Sequence, residues 1–149
     1  MDVGDKTIGV ALSDELEITA RGLFTLERVS DKKDAGKLLT LVEEHGCGAV
    51  VIGLPINLNG SDSKQTLKVR TFAVRMENML RSNGKSNVPV ILHDERFTTK
   101  IAEKVLIEAN MSREKRRTII DKQAAVVILQ SYLSSRHNRN GARNDEEYR

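Results

Sequence analysis

A chain of 149 residues, 39% apolar and 30% charged, has the size and make-up of one globular domain around a single core. Its formal charge of +3 permits a polyanionic partner without requiring one. No apolar run is long enough to cross a bilayer, no secretory signal opens the chain, and one cysteine excludes an internal disulfide, so a cytoplasmic protein with no membrane partner is expected.

The opening stretch, Met1 to Asp14, reads as a hairpin. A short strand carries Asp2, a tight turn runs through Gly4 and Asp5, and a second strand alternates Ile8, Val10 and Leu12 with Gly9 and Ala11. Gly4 and Gly9 leave the backbone open to close approach beside a carboxylate. Ile18 to Arg28 is expected as a third strand, completing an antiparallel meander. From Asp31 the period turns helical, with Ala35, Leu38, Leu39 and Val42 on one face, Ser30 or Asp31 as cap and Gly46 as stop. Ala49 to Ile52, ending in Gly53-Leu54-Pro55, has the pattern of a strand buried on both faces.

A loop, Ile56 to Ser61, leads to a helix beginning near Asp62. Asp62 and Gln65 have capping-box spacing, and Val69, Phe72, Ala73, Met76 and Leu80 form the apolar stripe. Val88 to Leu92 is expected as another buried strand, running into His93-Asp94-Glu95-Arg96. Thr98 or Thr99 caps a further helix that Asn110 stops, and the last helix is expected from near Thr118 to about Ser135. Residues from His137 onward lack the apolar content to pack. The expected organisation is one domain over residues 1–136 and a disordered polar tail over 137–149.

Helices alternating with buried strands demand parallel pairing through right-handed crossovers. The expected fold class is therefore α/β, with a mixed five-stranded sheet, three antiparallel strands then two parallel, flanked by helices. With the first strand central, the C-terminal ends of the parallel strands share one edge, which gathers Asp2, Gly53-Leu54-Pro55 and Asp94-Glu95 where open α/β sheets bind ligands. Asp121, in the first turn of the last helix, joins them if that helix points its N-terminus at the same edge.

Several carboxylates without histidine or cysteine are hard oxygen donors, suited to Mg²⁺ or Mn²⁺ and poor for zinc. Two such ions about 4 Å apart stabilise the attacking and leaving oxygens of an in-line phosphoryl displacement, so phosphodiester hydrolysis fits. Taken singly, each acid has a plainer explanation: Asp2 opens a turn, Asp94 or Glu95 pairs with an arginine, and Asp121 favours a helix N-terminus. Their joint placement is what points to a site.

DVGDKTIGVALSD, VVIGLPINLNG, HDERFTT and IIDKQAAVVILQSYL, in this order and spacing, resemble the YqgF family of RNase H-like proteins. Its members are known as Holliday junction resolvases and as nucleases maturing the 16S ribosomal RNA precursor. The resemblance spans Asp2 to Leu133. It implies an RNase H-like fold and a metal-dependent nuclease whose catalytic and metal-binding acids are Asp2, Glu95 and Asp121, with Asp94 as the less certain neighbour. It further implies that Lys6, Thr7, Asn57, Arg96, Thr98 and Thr99 face the nucleic-acid backbone, which suits their guanidinium, hydroxyl and amide groups. Arg116, Arg117 and Lys122 flank Asp121 and join that set, although such a cluster taken alone is more often a solvated face.

Only Met1 precedes Asp2, where family members carry several apolar residues. An upstream-extended form is therefore expected to bind metal better than this one, whose α-amino group beside Asp2 competes with the ion. The scarcity of aromatic residues argues for recognition by shape and backbone rather than base stacking. A nucleotide-binding ATPase is disfavoured for want of a second lobe and of any GxxxxGK[ST] run. The expected partners are structured RNA or branched DNA, with the ribosome as a further candidate, and the chain acts as a monomer or homodimer. Processing of the pre-16S rRNA 5′ end is the preferred function. The alternatives are resolution of branched DNA and non-catalytic binding of nucleic acid or the ribosome.

Overall fold

The computed structural model describes residues 1–96 and 113–147, with side chains over 1–96 and 122–141. The elements are β1 (Asp2–Val3), β2 (Thr7–Ser13), β3 (Ala20–Glu27), α1 (Asp31–His45), β4 (Val50–Leu54), α2 (Lys64–Ser82), β5 (Val90–Asp94) and α3 (Arg113–Glu147). The helix expected between Thr98 and Asn110 lies outside the described residues.

The meander forms as its alternation dictates. β1 and β2 pair antiparallel with Asp2 opposite Gly9, and β2 pairs with β3 from Thr7 opposite Glu27 to Ser13 opposite Ala20, with a register shift at Val10/Ala11. β3 starts two residues after the expected Ile18, because the Asp14 carboxylate takes the N–H groups of Ile18 (2.7 Å) and Thr19 (3.1 Å) into the turn.

β4 and β5 run parallel, Gly53 opposite His93 and Leu54 opposite Asp94. β5 begins at Val90 rather than Val88: Pro89 has no N–H for the ladder, and the Val88 N–H closes a turn onto Lys85 O at 3.0 Å. The strands form a three-stranded antiparallel sheet, β1-β2-β3, and a two-stranded parallel sheet, β4-β5. β1 is short, and Met1, just ahead of it, is hydrogen-bonded to β4. There the Met1 nitrogen donates to Val51 O at 2.6 Å, and Gly53 N–H donates to Met1 O at 3.0 Å.

The principal core lies between the strands and the pair α1 and α2, where Val3, Ile8, Leu38, Ile52, Val69, Phe72, Met76 and Leu80 are buried. α1 is capped as its sequence indicates, with Ser30 Oγ accepting from Lys33 N–H at 3.2 Å and Gly46 left-handed at φ 59°. The cap of α2 falls one residue later than expected. Ser63 and Thr66 form the capping box, while Asp62 instead holds Arg70 at 2.9 Å. The Asp62 backbone forms an isolated bridge with Ile56.

α3 packs across β2 and β3 and touches β1 and β4, burying Ala124, Ala125, Ile128 and Leu133. It starts before the expected Thr118 and runs past Ser135 to Glu147, through polar residues expected to be disordered. Contacts with the β2–β3 turn extend its anchorage: Arg136 pairs with the Glu17 carboxylate, and His137 Nε2 lies 3.0 Å from Glu17 O. Among the described residues no helix is long and apolar enough to cross a membrane.

Candidate active site

Met1 sits between Val51 and Gly53 on β4, so Asp2, one residue on, falls level with Gly53. Glu95 follows β5, its N–H reaching Leu54 O at 3.3 Å, and its side chain is only 7% exposed. The two acids therefore approach each other across β4, Asp2 from β1 and Glu95 from the end of β5. Burial, and then the negative charge of Asp2, push the Glu95 carboxyl up to about 7. The nearby Met1 amino group opposes that rise, and burial pushes this amine down to about 6.

Gly53 makes the approach possible. A methyl group at Gly53 would lie 2.8 Å from Glu95 Oε2 and 2.5 Å from Ile128 Cδ1, inside the contact distance of both. The sequence places Gly53 at the same strand edge as the acids; that a side chain there would exclude the Glu95 carboxylate is carried only by the fold. Gly53→Ala is expected to displace the Glu95 carboxylate, lowering nuclease turnover by roughly 10²-fold while costing about 1–3 kcal/mol of stability. Paired cleavage and urea-unfolding measurements check this, and unchanged turnover would refute it.

Further contacts fix β1. Gln65 Nε2 donates to Val3 O at 3.0 Å from the start of α2, and Arg28 Nη1 donates to Gly4 O at 3.0 Å. Neither was visible in the sequence, because both side chains serve backbone carbonyls remote in the chain. His93, level with Gly53 on β5, meets Ser131 Oγ at 3.0 Å and stacks edge-on against Tyr132, which ties β5 to α3.

The neighbouring acids Asp94 and Glu95 differ in environment. Asp94 is exposed and held by Arg96, with Nη2 2.6 Å and Nε 2.8 Å from Oδ2, and this guanidinium draws its carboxyl below the usual range. Arg96 is thus already engaged by an acid. Asn57 organises its own loop, donating from Nδ2 to Ser61 Oγ at 3.0 Å. Lys6 is exposed in the hairpin turn, and Thr7 opens β2. The stem of Lys122 lies over Gly22 on β3, where an added Cβ would come within 2.6 Å of Lys122 Cε. Arg116, Arg117 and Asp121 lie on α3, and their side chains are outside the described set. Asp121 precedes Ile128 by two helical turns, about 10 Å along the axis. Thr98 and Thr99 lie outside the described residues.

Asp2 and Glu95 present hard oxygen donors whose mutual repulsion a divalent cation would relieve, so the residues fit such an ion. Among the described residues no three His, Cys, Asp or Glu side chains converge on one point.

The model of the family described as "RuvX: Holliday junction resolvase" matches residues 1–135. The chain belongs to the RuvX family, also called YqgF. Its RuvX relatives include a protein of Thermoanaerobacter pseudethanolicus, named "Putative pre-16S rRNA nuclease", that is 46% identical over 140 residues, 93% of this chain and 96% of the relative. A protein of the same name from Desulforamulus reducens is 44% identical over 135 residues, covering 91% and 94% of the two chains. Among solved structures, T. thermophilus RuvC in complex with Holliday junction substrate is similar in fold, with a TM-score of 0.52 at 15% identity over 91% of this chain and 92% of that one. The RuvX chain therefore has an α/β RNase H-like fold with three antiparallel and two parallel strands flanked by helices. Membership of the RuvX family supports nuclease activity and implies a divalent metal.

Proposed function

We propose that this RuvX protein is a metal-dependent nuclease that hydrolyses phosphodiester bonds in processing the 5′ end of pre-16S ribosomal RNA. The observation that carries the reading is the convergence of Asp2 and Glu95 from two strands, with burial and charge repulsion raising the Glu95 carboxyl. Asp2, Glu95 and Asp121 would hold Mg²⁺ or Mn²⁺, which supplies charge stabilisation to the attacking and leaving oxygens when bound. Glu95 keeps its donor oxygen beside Gly53 and out of bulk water. Arg96, Lys6, Thr7, Asn57, Thr98, Thr99, Arg116, Arg117 and Lys122 form the set that would position phosphates, and Arg96 exchanges its Asp94 partner for a phosphate as substrate enters. The same reading joins the strands into one five-stranded sheet through Met1, in a domain spanning 1–136.

The preference for ribosomal RNA rests on the names of the relatives at 46% and 44% identity. Resolution of branched DNA is the second reading, favoured by the description of the matching family. The deciding experiment compares cleavage of labelled pre-16S RNA and of a four-way DNA junction with Mn²⁺, with Mg²⁺ and with chelator, for this chain and Asp2→Asn. Metal-dependent cutting of the RNA alone, lost in Asp2→Asn, is the expected result. Cutting of the junction alone would favour the second reading, and binding of RNA without cutting under any condition would overturn nuclease function.

A further inference from the structure

The three acids assigned to the metal stand on separate parts of the fold. Asp2 is on β1 of the antiparallel sheet, Glu95 follows β5 of the parallel pair, and Asp121 is on α3. α3 packs over β2 and β3 and touches β1 and β4, so the helix is seated on the meander that carries Asp2. β5 is further away, on the edge of β4 opposite the one that Met1 occupies. The strand that delivers Glu95 therefore needs its own link to the helix that carries Asp121.

His93 supplies that link. It lies level with Gly53 on β5, places Nε2 3.0 Å from Ser131 Oγ and meets the Tyr132 ring edge-on, with centroids 5.9 Å apart. Ser131 follows Ile128 by three residues, so the helix face that packs Ile128 against Gly53 also presents Ser131 to His93. The neighbouring Gln130 is turned toward β3, where it holds Ala20 and Ile18. At this level α3 is thus held by directional bonds on both flanks. The apolar contact of Ile128 resists separation but tolerates sliding, whereas a hydrogen bond weakens steeply with distance and angle. Asp121 stands ten residues upstream of Ser131, about 15 Å along the axis, so a pivot of about 4° at Ser131 moves the helix by roughly 1 Å at Asp121. Metal ligands tolerate only about 0.2 Å.

We propose that His93 is a positioning residue for the metal site: through Ser131 and Tyr132 it sets the spacing between β5, which delivers Glu95, and α3, which carries Asp121. It acts through the helix, and no contact of its ring with the ion is required. The inference rests on the nuclease reading in one respect, the assignment of Asp121 as a metal ligand.

The test measures Mn²⁺ binding by calorimetry, without substrate and at one pH, for wild type, Ser131→Ala, Ser131→Thr, His93→Phe and the Ser131→Ala/His93→Phe double variant, with thermal unfolding in chelator alongside. Ser131→Ala is expected to weaken Mn²⁺ binding about tenfold, while Ser131→Thr, which keeps the hydroxyl, stays near the wild-type value. His93→Phe should lose as much as Ser131→Ala, and the double variant no more than either, because one bond is removed in all three. Wild-type Mn²⁺ affinity in Ser131→Ala, even with a lowered Tm, would overturn the positioning role and leave the bond a purely structural one. Additive losses in the double variant would overturn the coupling of His93 to Ser131. Cleavage is read separately: a chain that binds Mn²⁺ and cuts neither RNA nor DNA would sink the nuclease reading, while a Mn²⁺ affinity lost in Ser131→Ala and restored in Ser131→Thr would still carry the positioning role.

Discussion

Replacing Glu95 by glutamine is expected to lower cleavage by at least roughly 10²-fold while making the metal-free protein more stable above neutral pH. The carboxyl ionises near 4.5 when unperturbed and at about 7 in the fold. Between those values the folded state holds a proton that the unfolded state has released. Stability from this group is therefore full below about pH 4.5 and is lost as pH rises through about 7. The difference amounts to at most about 3 kcal/mol. Glutamine keeps the shape without the ionisation, so its metal-free unfolding curve should lack that loss. The measurement is thermal unfolding in chelator at pH 5 and pH 8 for wild type, Glu95→Gln and Asp2→Asn. Wild type should fall relative to Glu95→Gln by on the order of 5–10 °C, with Asp2→Asn between them because one repelling charge is gone. Adding Mn²⁺ at pH 8 should restore wild type and leave Glu95→Gln unmoved. Parallel pH dependence in wild type and Glu95→Gln would show that the carboxyl is not strained by its site.

The second large effect lies below the hairpin turn. Asp34 is fully buried in the first turns of α1, and its carboxylate accepts from Arg28 Nε and Val29 N–H, both at 3.1 Å. Arg28 also pairs with Asp31, donates to Gly4 O and lies 5.3 Å from the centre of the Phe72 ring. Asp34→Ala should cost about 3–5 kcal/mol, since it leaves a largely buried guanidinium short of its partner. Combining it with Arg28→Met should cost less than the sum of the single changes, because the stranded charge is removed too. Urea unfolding of the two single variants and the double variant gives the comparison; strict additivity would mean that the two residues act independently.

Much of this arrangement was legible from one-dimensional pattern. Alternation in Ile8, Val10 and Leu12 gave β2, the apolar run before Gly53-Leu54-Pro55 gave β4, and Ser30 with Gly46 bounded α1, because each signal is carried by neighbours in sequence. Contacts between distant residues were not legible. Asp34 reads as an ordinary acid in a helix's first turn, and only the return of Arg28 across the β1–β2 turn makes it a buried anchor. Asp62 and Gln65 matched a capping pattern that Ser63 and Thr66 satisfied with better geometry, leaving Gln65 to hold Val3. At the candidate site, Asp2 and the Asp94-Glu95 pair were found from topology. The difference between the adjacent acids depends on which one turns toward Gly53, and strand periodicity ends just where that is decided.

The side-chain amide of Gln130 both accepts from Ala20 N–H at 3.1 Å and donates to Ile18 O at 2.9 Å, spanning more than a hundred residues of chain. During synthesis from the N-terminus, β2 and β3 can pair early, but this clasp must wait until α3 has emerged. Ile128 and Ser131, which pack near Gly53 and His93, arrive in the same late segment. The face bearing Asp2 and Glu95 is thus covered only near the end of translation, so a nascent chain stalled before Arg113 would carry both acids without the helix that packs beside them.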